Sequence, residues 1–168
     1  MSTAVAVNTY VHSVTYVTDN ILRSLQDIVR LSGLNPGKIS SDWETLERGI
    51  STWIGSRHLE KIVLEAYKPK NNELIGRWDI EIAYGWTGDD GRFWVDTDQI
   101  RMAILKAGVW PAESEYRIVC INKDGRADVR GWSSTTLRST AGMVKQSLGT
   151  TVEHNGLGAS ASYYRKVG

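Results

Sequence analysis

Cysteine is almost absent. Cys120 stands alone among 168 residues, which excludes an intrachain disulfide and any zinc site built on paired thiolates. Histidine is nearly as scarce. His12, His58 and His154 lie far apart, and none has a carboxylate or second histidine at metal-ligand spacing, so each reads as a polar surface or partly buried residue. An excess of one charge is missing too: Lys+Arg 20 against Asp+Glu 19 gives a formal net charge of +1. Dedicated nucleic-acid and membrane-surface binders normally show a clear basic excess. No apolar run approaches the ~20 residues needed to span a bilayer. The first eight residues lack the basic and apolar parts of a signal peptide, so a reducing cytoplasm is the expected location.

Catalytic signatures are missing as well. There is no Gly-x-Ser-x-Gly elbow and no Walker-type phosphate loop. Gly156-Leu157-Gly158-Ala159-Ser160-Ala161 has the spacing of a dinucleotide fingerprint, but only seven residues follow it. A helix and a further strand with an acidic residue would be needed. Asp89-Asp90 falls among glycines in a turn, and Asp96 and Asp98 at a helix start, where the helix dipole favours carboxylates. No cofactor, no metal and no enzymatic activity are expected.

What is present is a globular composition: 41% hydrophobic and 23% charged residues, with seven Trp and seven Tyr against one Phe. Trp and Tyr carry a polar handle, which suits a core that opens onto a binding surface. Over residues 14–31, Val14, Val17, Ile21, Leu25 and Ile28 recur at steps of three and four, and Gly33-Leu34 closes the pattern like a helix C-cap. A second helix is expected from the capping box Ser41-Asp42-Trp43-Glu44, with Trp43, Leu46, Ile50, Trp53 and Ile54 inward and Gly55 ending it. Residues 59–67 and the alternating Trp78, Ile80, Ile82 and Tyr84 predict a long hairpin around the turn at 68–72. A third helix is expected around Ile100, Ala103, Ile104 and Ala107, with Asp96 as its cap and Gly108 closing it. Residues 116–121 predict a strand, and 129–132 a short one. From residue 133 onward Ser, Thr and Gly dominate, leaving two extended pieces, 150–154 and 160–167, around Asn155-Gly156-Leu157-Gly158. The apolar stripes of the helices and the hairpin can pair among themselves, so this tail is expected to be separable from them.

The order of these elements resembles a HORMA domain. The return strand Arg77-Trp78-Asp79-Ile80-Glu81-Ile82 is similar to the arginine-aromatic strand of the spindle-checkpoint member. Residues 117–125 are similar to its sheet strand and following turn, and 147–152 with 161–167 to its mobile "safety belt". The strings at 13–22 and 152–157 resemble more closely the bacterial HORMA proteins encoded beside cyclic-nucleotide anti-phage (CBASS) signalling enzymes.

That resemblance implies a single α+β domain over residues 1–168, with three main helices on a largely antiparallel sheet. It implies a flexible N-terminal segment (1–12) and a mobile C-terminal safety belt (133–168). It further implies a peptide-binding switch. A closure-motif peptide adds to the sheet as a strand, and the closed form binds and activates a cGAS/DncV-like nucleotidyltransferase in anti-phage defence. An AAA+ ATPase reopens it through the N-terminal segment. The implied peptide-binding residues are Arg117, Ile118, Val119, Cys120 and Ile121 on one strand, with Thr150, Thr151, Val152, Glu153 and His154 on the belt. Leu148, Val152, Tyr163 and Tyr164 are expected to dock the belt, and Ser2, Thr3, Ala4, Val5, Ala6 and Val7 to form the ATPase handle. Pairing of a peptide to a sheet edge needs few specific side chains, in keeping with the missing catalytic constellation. No membrane and no sequence-specific nucleic-acid contact are expected. Two other classes stay open at this stage: a HORMA adaptor for chromosome or repair machinery, and a small enzyme with an unrecognised site.

Overall fold

The computed structural model describes residues 9–87 and 93–166. The expected ATPase handle (residues 2–7) and the Asp89-Asp90 pair lie outside the described residues. Helix α1 (Tyr10–Leu31) starts earlier than the apolar pattern, because Thr9 caps it by accepting from the His12 N–H at 3.3 Å. Residues 10–12 of the expected flexible segment are therefore the first helical turn. Val17, Ile21, Leu25 and Ile28 are fully buried along its inner face.

The expected capping box does not form. Ser41 already ends a short helix, α2 (Gly37–Ser41), so its hydroxyl is not at a cap position, and Asp42 leads into α3 (Trp43–Gly55) without a side-chain cap. The hairpin β1 (Leu59–Lys68) and β2 (Glu73–Tyr84) follows as expected. A short β3 (Phe93–Val95) precedes α4 (Asp98–Ala107), and β4 (Glu115–Asn122) follows it. Residues 129–132 make a turn rather than a strand, closed by the Trp132 N–H donating to the Val129 carbonyl at 3.1 Å.

The tail forms a second long hairpin, β5 (Met143–His154) and β6 (Leu157–Lys166). Its two connecting residues, Asn155 (φ +54°) and Gly156 (φ +86°), both sit in the left-handed region, as a twist-matched two-residue turn requires. The six strands form one sheet in the order β3-β5-β6-β2-β1-β4, with every pairing antiparallel. The helices cover one face, where Leu64, Trp78 and Tyr163 lie in one cross-strand row and Ile62, Ile80 and Ala161 in the next. The opposite face is buried as well at its centre, by Val63, Glu65, Arg77 and Asp79. That burial explains why β1 reads as a nearly continuous run rather than a clean alternation.

Candidate functional site

Strand β4 closes one side of the sheet and, among the described residues, pairs with β1 alone. Its alternation assigns the side chains. Tyr116, Ile118 and Cys120 face the helices and pack on the core, while Arg117, Val119 and Ile121 face the outer side. A strand edge left in this way is a template for another chain unless something covers it.

The cover here is the connection from β4 to β5, residues 123–142, which is fixed on both faces of the sheet. On the helix side, the Trp53 indole N–H donates to the Ala127 carbonyl at 2.8 Å, and the Trp132 indole N–H to the Thr45 carbonyl at 2.9 Å. The Trp132 ring meets Trp53 edge-on at 5.1 Å and lies directly over Gly49, where a Cβ would stand 2.3 Å from Trp132 Nε1. Only glycine leaves that seat open.

On the outer side the anchor is a buried carboxylate. Glu65 is fully buried; it accepts from Arg117 Nε at 2.6 Å, from Arg138 Nη1 at 2.9 Å and from the Arg138 backbone N–H at 2.7 Å. Arg117 also donates to the Thr135 hydroxyl at 2.9 Å and to the Thr136 carbonyl, and the Arg138 guanidinium lies 3.7 Å from the centre of the Tyr67 ring. Between Trp132 and Arg138 the chain thus passes from one face of the sheet to the other, around the edge of β4. The result is a strap held at both ends, with a slot between it and an unpaired strand. Cys120 lies under this strap, where burial pushes its thiol pKa up and leaves it a poor nucleophile.

The expected binding residues separate into two places. Residues 117–121 lie on β4, at the slot. Thr150, Thr151, Val152, Glu153 and His154 lie on β5, with β6, β2 and β1 between them and β4. The structure does not bring the two sets together. Of the expected docking residues, Val152 and Tyr163 are buried in the core, Tyr163 stacking on Trp78 at 5.1 Å, and Leu148 packs against its margin. Tyr164 faces the other way, half-buried beneath the Arg77 guanidinium at 4.9 Å. His154 is fully buried against α1, its Nδ1 2.7 Å from the Ser13 hydroxyl, which also accepts from the Trp86 indole N–H at 2.9 Å. Burial, with the nearby His12 adding to it, holds the His154 pKa below the ordinary histidine value.

Glu65, Gly49, Trp132 and Arg138 were not singled out from the sequence, although they hold the strap. A tryptophan at the head of a Ser/Thr-rich run was the one available sign. Among the described residues there is no cluster of metal-ligating side chains, and no helix is long and apolar enough to cross a membrane.

A family model described as bacterial HORMA domain 2 matches residues 2–167. The chain belongs to the bacterial HORMA domain family. A chain of the mitotic checkpoint complex superposes with a TM-score of 0.76 at 9% identity, over 92% of this chain and 99% of that one. C. elegans HTP-2 bound to the HIM-3 closure motif gives 0.61 at 11% identity, over 93% and 88%. A chain of the E. coli MS115-1 CdnC:HORMA-deltaN complex gives 0.61 at 10% identity, over 99% and 94%. No curated protein matches by sequence.

Proposed function

We propose that this protein is a conformational switch that captures an extended closure-motif peptide along the edge of β4, beneath the strap, and in that form activates a partner enzyme. The observation that carries the reading is the slot itself: an unpaired strand edge enclosed by a segment tied down on both faces of the sheet. Backbone pairing to an exposed edge is a recurrent way of holding a peptide. Closed around such a strand, the strap would slow its escape without contributing many contacts of its own.

The partner is a cGAS/DncV-like nucleotidyltransferase that makes a cyclic-oligonucleotide second messenger in anti-phage defence. The E. coli neighbour in complex with CdnC supports this assignment, and the C. elegans neighbours bound to closure motifs support the peptide. An AAA+ ATPase that engages the N-terminal segment reopens the switch. The test is reconstitution of the purified chain with a nucleotidyltransferase of the CdnC type, with and without peptide. Product formation that depends on both the chain and the peptide is expected; synthesis indifferent to either would contradict the reading.

A further inference from the structure

Two cavities lie side by side along β4, and both are lined by Ile118 and Trp132. The larger, 310 Å³, has Leu46 and Tyr116 in its lining, with the exposed Lys38 and Asp42 at its mouth. The smaller, 180 Å³, lies between Trp53, Cys120 and the strap at Ser134. Ile118 and Trp132 form the wall between them. A strand added to the free edge of β4 continues the pleat, so every second side chain points to the same face as Tyr116, Ile118 and Cys120. Along the inner face of β4 the larger cavity is lined by Tyr116 and Ile118 and the smaller by Ile118 and Cys120, a shift of two residues, and side chains two apart on a strand are separated by about 6.6 Å.

We infer that the captured peptide carries a large aromatic residue, Tyr or Trp, in the larger cavity and an aliphatic residue two positions away in the smaller one. This rests on the proposed capture at β4. The larger cavity mixes apolar walls, Leu46 and Ile118, with the charged Lys38 and Asp42, which suits a ring with a polar tip. The smaller has two indole faces and a protonated thiol in its lining and offers room for a branched aliphatic group. The residue between the two points to the outer face.

The experiment is selection of a random peptide library on the intact chain, followed by affinity measurement with two variants that fill the cavities from their rims. Thr45→Phe narrows the larger cavity and Ser134→Phe the smaller, and both sites lie outside the buried core. The selected peptides should show an aromatic at i paired with an aliphatic residue two positions away. Each variant should lose roughly tenfold to a hundredfold in affinity for them, the value of burying one such side chain. Alanine at the matching peptide position should remove the difference between variant and parent. Peptides selected without this spacing, or affinities unchanged in both variants, would overturn the two-cavity assignment and leave peptide capture standing. Failure of the parent chain to select any peptide would overturn both.

Discussion

At the level of single residues, Glu65 and His154 hold two points of the tail, its start and its hairpin turn, by different means. Glu65 is a buried anion that three donors on Arg117 and Arg138 make tolerable; without partners, a buried charge is costly. Arg138→Ala removes a charge-assisted bond and the contact with Tyr67, and should cost about 1.5–3 kcal/mol in urea unfolding. It should also speed peptide release, since the strap loses its outer anchor. Unchanged release from a variant that is measurably destabilised would separate the anchor from the slot. His154 acts through pH. Its folded-state pKa lies below the ordinary value of 6.5, so the unfolded chain takes up the proton first. The contribution is complete above about pH 6.5 and is lost as pH falls below it, toward the depressed folded value. The urea midpoint should therefore fall on acidification from about pH 7 to pH 5, and His154→Gln should flatten that decline. Parallel declines in the two proteins would show that the burial of His154 carries none of it.

At the level of elements, what was legible in the sequence divides along periodicity. The stripe of α1, the alternation of β2 and the Tyr116/Ile118/Cys120 pattern of β4 each follow from a local period and a single buried face. The first half of β5 was missed because its side chains are mostly exposed, so no apolar period marks it. The strap was missed because its contacts join residues far apart in the chain: Trp132 to Gly49 and Thr45, and Arg138 to Glu65. No short window contains both partners. The Gly49 seat makes its own prediction. Gly49→Ala drives a methyl into the Trp132 ring, and overpacking of this kind costs about 1–3 kcal/mol. The helix-side anchor should loosen, read as faster hydrogen exchange over residues 127–135; exchange at the parent rate would show that Trp132 can shift without freeing the strap. The turn of the second hairpin is equally demanding. At Gly156 a Cβ would stand 2.0 Å from the Gly85 carbonyl oxygen on a backbone with positive φ. Gly156→Ala should therefore lower the thermal midpoint more than the same change at Gly142, where φ is also positive but nothing lies within 4 Å.

For the molecule as a whole, the tail is not a detachable appendage. Val152, Leu157, Ala159, Ala161 and Tyr163 belong to the same core as α1, and β6 pairs with β2 from Gly76 to Tyr84. Deleting residues 147–168 would expose Trp78 and Ile80, so the remaining chain should lose its cooperative unfolding transition rather than persist as a folded unit. The expectation from apolar stripes alone was that the helices and first hairpin would suffice; the structure shows them sharing one core with the tail. The switch proposed above would therefore require the tail to repack between two arrangements rather than simply detach. In the arrangement seen here β5 and β6 extend the sheet on the β2 side, and the opposite edge, at β4, is left for another strand.

That division of the sheet makes the central claim directly measurable. Amide hydrogen exchange of the full chain, with and without a selected peptide, reports which strand gains a hydrogen-bonding partner. New protection is expected in β4 and in the strap at residues 133–138, with β5 and β3 unchanged. Protection appearing instead along β3 or β5, with β4 exchanging at its peptide-free rate, would contradict it.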